Sequence, residues 1–223
     1  MPISLQEQNL NAISEKSIEK SMHVDFALSN YINEAKYDVL GLSLNKIVRT
    51  PDDSGFTNYL NISDESFHSS GGTVEEDIAD IMRGFQVSHP NVQSVYMGRE
   101  NGAFVWSYAW ENATDYDPRS RPWYILATEN PGGVVITDPY IPITTPYVKI
   151  AISKALVDTD SNVYGVVGTD LNLVNLTGYI SGIETDYEGE MVLTDHNGTI
   201  IACKNQSALF TNIGSVEILI LVI

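Results

Sequence analysis

Cysteine is almost missing from this chain of 223 residues: Cys203 stands alone, so no internal disulfide braces the fold, and a lone cysteine reads as a buried core residue. Positive charge is scarce too. Twelve Lys and Arg face 29 Asp and Glu, a net charge of −17, and a surface this acidic repels a phosphate backbone or an anionic lipid surface on average. Nucleic acid is therefore not an expected partner. The four histidines, His23, His68, His89 and His196, have no close Cys or His neighbour, so no metal-ligand spacing and no cofactor are expected. No run of about 18 or more apolar residues is present, so no segment is expected to span a bilayer, and no signal peptide is read at the start. The chain also lacks a Gly-x-Ser-x-Gly elbow, a His-Glu-x-x-His pair, a phosphate loop and a recognisable Cys-His arrangement. A paired-carboxylate hydrolase needs no local motif and stays open as the enzymatic alternative; a passive scaffold or adhesin, suggested by the acidic surface and the sequons at Asn61, Asn112, Asn175, Asn197 and Asn205, is the third class.

What is present begins with apolar residues, 43% of the chain, enough for one large domain or two smaller ones. From about Ser4 to Arg49 there is no proline, and Leu10, Ile13, Val24, Leu28, Tyr31, Ala35 and Leu42 recur at helical spacing. One long helix is expected, with two helices meeting near Ala35 to Gly41 as the alternative. A helix this long usually spans two modules or pairs with a copy of itself. After a loop-rich stretch from Pro51 to Gly72, a capping box of Thr73 and Glu76 opens a second helix whose inward face is Val74, Ile78, Ile81, Met82 and Phe85. The period then becomes two. "VQSVYMGRENGAFVWSYAW" reads as strand, Asn101-Gly102 turn and strand, with Phe104, Trp106, Tyr108 and Trp110 on one face and Ala103, Val105, Ser107 and Ala109 on the other. "GGVVITDPY", "YVKIAISKALVD" and "NVYGVVGTDL" read as three further strands. The "DTDSN" turn between the last two resembles a calcium loop only superficially: Val163 and Thr169 stand where such a loop needs Gly and Glu. "VYMGRENGAFVW" is echoed by "MVLTDHNGTIIA", which suggests two related sheet modules in tandem, and the apolar end "ILILVI" reads as a strand, or as what is left of a domain cut part-way.

"DPRSRPWY", Asp117 to Tyr124, packs two arginines, two prolines and two aromatics into eight residues. Two readings stand side by side. Asp117 with Arg119, or Arg121 with Asp138, can pair at the surface while Pro118 and Pro122 set a turn and Trp123 plugs the core. Alternatively Arg121 offers its planar fork to a carboxylate, with Asp170, at the end of an apolar strand, facing an ammonium, and tyrosine and tryptophan as walls.

The long helix, "VYMGRENGAF", "DPRSRPWYILA", "ITDPY" and "GVVGTDLNL" running into "YEGEMVLTDHNGTII" together resemble the double Cache sensor domains of histidine kinases and chemoreceptors. The resemblance spans about Leu10 to Ala202. It implies an α+β fold: a long N-terminal helix followed by two tandem PAS-like antiparallel sheet modules, the second apparently truncated. The corresponding division is a stalk helix over residues 1–50, a membrane-distal ligand-binding module over 51–172 and a partial membrane-proximal module over 173–223. In the amino-acid-binding subset of that family, the pattern falls on Tyr116, Arg121, Trp123, Tyr124, Tyr140 and Asp170, with the carboxylate held by Arg121 and Trp123 and the ammonium by Asp170 and tyrosine hydroxyls. Pro142 departs from it, standing where many such domains carry an acidic residue. The implied role is the extracytoplasmic sensor of a membrane-anchored receptor that binds an amino acid or other small carboxylate or amine and signals through the helix to a histidine kinase, with a chemoreceptor as the alternative. A homodimer through the N-terminal helix is implied as well.

Overall fold

The apolar residues that recur along the first 44 positions form one uninterrupted helix. The computed structural model describes residues 5–60, 72–108, 115–142, 148–182 and 191–215, and helix α1 covers Leu5–Leu44, about 60 Å at 1.5 Å per residue. Gly41 does not break it. Val24, Leu28, Ala35, Val39 and Leu42 are buried along its length, while the side chains of Leu10 and Ile13 lie outside the described residues. Two compact units can be told apart, Ala35–Asn175 and, separately, Met1–Glu34 with Leu176–Ile223. Among the described residues, no helix is long and apolar enough to cross a membrane.

The first unit is built on a five-stranded antiparallel sheet. Its strands are β1 (Val92–Arg99), β2 (Phe104–Trp106), β3 (Val134–Ile136), β4 (Ala151–Val157) and β5 (Val163–Leu171), in the order β2-β1-β5-β4-β3. Period-two alternation sends Val95 and Met97 of β1 to one face and Tyr96 to the other. On the first face, helix α2 (Thr73–Ser88) lays Ile78 and Met82 against Val95, Met97, Val105 and Val167, together with Leu42 and Val48. The opposite face carries an aromatic cluster of Tyr59, Tyr96, Phe104, Tyr116, Trp123 and Tyr124. Helix α3 (Pro122–Glu129) covers that side, and its Trp123 carbonyl accepts a 2.8 Å bond from Ser153 Oγ of β4.

The start of α2 differs from the expected capping box. Gly72 is the residue before the first helical turn, Thr73 lies inside it, and among the described residues no side chain caps the end. Of the expected inward face, Val74 is exposed. Glu75 is turned inward in its place, its carboxylate accepting from the Thr57 N–H at 2.6 Å and the Thr57 hydroxyl at 3.0 Å. This helix end, whose donors have no side-chain partner among the described residues, is thus pinned by a partner distant in sequence. The hairpin reading holds where it can be followed: Gly102 takes φ 90°, a conformation a side chain disfavours, and Tyr96, Met97 and Gly98 pair with Trp106, Val105 and Phe104. Trp110 and Ala109 lie outside the described residues, and Tyr108 is half-exposed, donating to the Gln93 carbonyl at 2.8 Å. In the "DTDSN" turn, Asp158 is occupied by bonds from the backbone of Asp160 and Asn162 and from the Asn162 amide. It serves the turn.

In the second unit the described sheet is two-stranded, β6 (Leu193–Thr194) with β7 (Ile200–Ala202), and Gly198 takes φ 80° at its turn. Val192, Ile200, Ala208 and the fully buried Cys203 form its core. The echo of the first hairpin therefore has a structural counterpart. Only one full sheet module is present among the described residues, and "ILILVI" lies outside them.

Candidate functional site

Three strands and one loop converge on the aromatic face. Register places Ser94 of β1 and Ala151 of β4 opposite Asp170 of β5, and Tyr96 opposite Gly168. Gly168 matters because a Cβ there would come within 2.8 Å of the Tyr96 ring. Its absence lets the ring lie across the strand, so that the Tyr96 hydroxyl donates to Asp170 Oδ1 at 2.8 Å. Asp170 is buried and accepts two further bonds on Oδ2, from Ser94 Oγ at 2.6 Å and from Lys149 Nζ at 2.5 Å.

The "DPRSRPWY" stretch divides its labour. Asp117 accepts from the Arg119 backbone and guanidinium at 2.9–3.0 Å, and Ser120 Oγ donates to the Asp117 carbonyl at 2.9 Å; this braces the turn, and the Arg119 bonds hold the Asp117 carboxyl below its ordinary range. Arg121 ends the turn and precedes α3, which Pro122 begins with its preset φ. Its Nε donates to the Asp117 carbonyl at 3.1 Å, and its guanidinium carbon lies 5.1 Å from the centre of the Tyr116 ring. Its two terminal nitrogens have no hydrogen bond or ion pair among the described residues. Both readings of the motif thus describe part of it: Arg119 pairs at the turn, and Arg121 borders a cavity.

That cavity is lined by Tyr96, Phe104, Trp106, Tyr116, Arg121, Trp123, Tyr140, Pro142, Lys149 and Asp170. The cavity is tight, about 30 Å³, so its walls stand close together. Rings pack edge to face around it, with Tyr96 and Trp123 centred 4.8 Å apart and Phe104 and Tyr116 4.7 Å apart. Burial raises the phenols of Tyr96, Tyr116 and Tyr140, and for Tyr96 and Tyr140 the neighbouring Asp170 carboxylate adds to it. They remain neutral hydrogen-bonding groups at physiological pH.

Of the residues singled out in the sequence, Tyr116, Arg121, Trp123, Tyr140 and Asp170 meet at this cavity. Tyr124 does not line it. One position along α3 from Trp123, its side chain turns about 100° around the helix axis and packs beside Gly98, edge to face with Trp123, outside the cavity lining. The reading from sequence missed Tyr96, Lys149 and the strand aromatics as walls. Lys149 had a signal: Lys149, Ala151 and Ser153 share one face of an alternating strand, and the other two are inward.

Residues 52–178 match the family model described as the methyl-accepting chemotaxis protein-like, first PDC sensor domain. The chain belongs to this family. Among curated relatives of the sensor domain, the methyl-accepting chemotaxis protein McpB of Bacillus subtilis is 30% identical over 138 residues, 62% of this chain and 20% of McpB. McpC of the same organism is 40% identical over 90 residues, 40% of this chain and 14% of McpC. The chain spans about a fifth or less of the length of these relatives. Among solved structures, the ligand-binding domain of the Pseudomonas fluorescens chemoreceptor CtaA, in complex with L-isoleucine, superposes with TM-score 0.65 at 20% identity, covering 91% of this chain and 74% of that one. That of the Campylobacter jejuni chemoreceptor Tlp3, in complex with 4-methylisoleucine, gives 0.62 at 21% identity, covering 93% and 74%. The shared fold is α+β, a leading helix followed by an antiparallel sheet domain. The histidine-kinase setting that headed the expectations is not supported, since these relatives are chemoreceptors.

Proposed function

We propose that this sensor domain is the extracytoplasmic part of a membrane-anchored chemoreceptor, and that its aromatic cavity takes up a small solute bearing a carboxylate, of the class of amino acids and short organic acids. One observation carries the reading: Arg121, part of the cavity lining, has two terminal guanidinium nitrogens without a hydrogen bond or ion pair among the described residues, and shares that lining with aromatic rings and tyrosine hydroxyls. A planar fork so placed suits a carboxylate, each charge-assisted bond contributing about 1.5–3 kcal/mol net. The amino acids named in the CtaA and Tlp3 complexes support the solute class. In this reading Tyr116 and Trp123 position Arg121 and the ligand, Tyr140 and Asp170 form the opposite wall, and Tyr124 packs α3 against Gly98 of β1.

The division into a stalk over 1–50, a ligand-binding module over 51–172 and a partial second module over 173–223 belongs to the same proposal. Bound ligand favours whichever state of the ligand-binding module it holds more tightly, and the shift passes along α1 to an output region outside this chain. The chain itself acts as a binding domain. Ile18, Met22 and Phe26, exposed at spacings of four on α1, form the face through which two copies pair; sedimentation equilibrium should show a concentration-dependent dimer that Phe26→Glu disperses. Calorimetric titration against amino acids, organic acids and amines tests the pocket. Replacing Arg121 by Ala should weaken a carboxylate ligand by at least about a hundredfold, two lost charge-assisted bonds, with the unfolding transition unmoved. Unchanged affinity would remove Arg121 from the site.

A further inference from the structure

The pocket's inventory of charge is uneven. Arg121 and Lys149 are cationic and Asp170 is the one carboxylate among the described lining residues, so the formal balance is positive. Asp170 is already engaged: Lys149 Nζ and Ser94 Oγ share its Oδ2, and the Tyr96 hydroxyl takes its Oδ1. Lys149 and Asp170 have side-chain exposures of 6% and 4%, so neither can swing out to water and leave the other free. Lys149 is also held through its backbone, by reciprocal bonds with Tyr140 of 2.8 and 3.0 Å. Two residues beyond Tyr140 stands Pro142, which brings no second anion to this wall.

We propose that Lys149 makes this pocket selective for carboxylates without an ammonium group, such as 2-hydroxy and 2-oxo acids, over the amino acids of matching shape. The inference rests on the pocket reading given above and narrows its ligand class. An α-ammonium entering opposite Arg121 would find Asp170 neutralised and would sit beside the buried Lys149 ammonium, a like-charge contact in a site that excludes water. A hydroxyl or oxo oxygen at the same position meets the reverse situation. It accepts from Lys149 or from a tyrosine hydroxyl, and the neutral phenols around it can donate without changing charge. The protein's own ammonium thus occupies the place that a ligand ammonium would need.

The test is titration calorimetry of the intact chain with matched pairs that differ only at the α-substituent: L-lactate with L-alanine, L-malate with L-aspartate, and (S)-2-hydroxy-4-methylpentanoate with L-leucine. In the pair whose side chain fits, the hydroxy acid should bind at least about tenfold more tightly than the amino acid. Lys149→Met, which frees Asp170, should narrow or invert that ratio by about tenfold. If this variant does not fold, the double variant Lys149→Met with Asp170→Asn removes the like charge together with its counter-charge and should narrow the ratio without inverting it, since a ligand ammonium then meets neither repulsion nor a partner; an unchanged ratio overturns the role of Lys149. Amino acids binding as well as or better than their hydroxy counterparts in the unmodified chain overturns the inference while leaving the carboxylate pocket standing. Binding of neither series at millimolar concentration overturns the inference together with the pocket reading on which it rests.

Discussion

Replacing Asp170 by Asn is the sharpest perturbation of the fold that the site permits. Asparagine keeps the shape, but only one of the two oxygens that accept from Ser94 and Tyr96 remains an acceptor, and the Lys149 ammonium, 2.5 Å away and almost fully buried, loses its counter-charge. Stranding one partner of a buried pair costs about 3–5 kcal/mol, because the remaining ion has neither water nor an opposite charge. For a chain of this size that corresponds to a fall in melting temperature on the order of 10 °C. Lys149→Met should cost a similar amount by stranding the carboxylate. The double variant should recover most of that loss, since neither charge is then left stranded. The assay is urea unfolding followed by tryptophan fluorescence. All three tryptophans, Trp106, Trp110 and Trp123, fall in the expected ligand-binding module, so the signal reports its unfolding. A double-mutant cycle should give a coupling of several kcal/mol. Single variants that each cost less than about 1 kcal/mol and simply add in the double would refute the buried pair.

Two further outcomes follow from packing and ionisation. A Cβ on Gly98 would come within 2.7 Å of the Pro118 ring and about 3 Å of Trp123 and Tyr124, so Gly98→Ala should lose about 1–3 kcal/mol by overpacking and weaken ligand binding through Trp123. Gly84→Ala, where the new methyl meets nothing within 4 Å on the exposed face of α2, is the control and should stabilise by about 0.5–1 kcal/mol; equal effects at the two sites would contradict the packing. Burial, helped by Glu100, pushes the Tyr124 phenol up to about 12, and burial with Glu34 does the same for Tyr31. An unfolded phenol titrates near 10, so the folded chain holds these protons more tightly. Their contribution to stability is complete below about pH 10 and is lost as pH rises toward 12. Phenolate absorbance of the folded and urea-unfolded chain should separate in that window, and coincident titration curves would show the phenols to be open to water.

Local patterns determined much of this protein from the sequence by itself. Helical periodicity without proline made α1, alternation made β1, β2, β4 and β5, and Asn-Gly pairs marked both hairpins, because these depend on residues a few positions apart. Five of the residues that line the cavity were legible for a different reason, a motif whose order along the chain resembles a known family. Tertiary structure alone decided the rest. Glu75 rather than Val74 faces inward because its carboxylate finds Thr57, far away in sequence. Tyr124 leaves the pocket because a helix turns neighbouring side chains apart. Lys149 enters it because sheet register brings β4 beside β5, so that a lysine which alone would seek water finds Asp170 waiting 21 residues further on. Charge pairing across strands is a property of register, and register is written in no single segment.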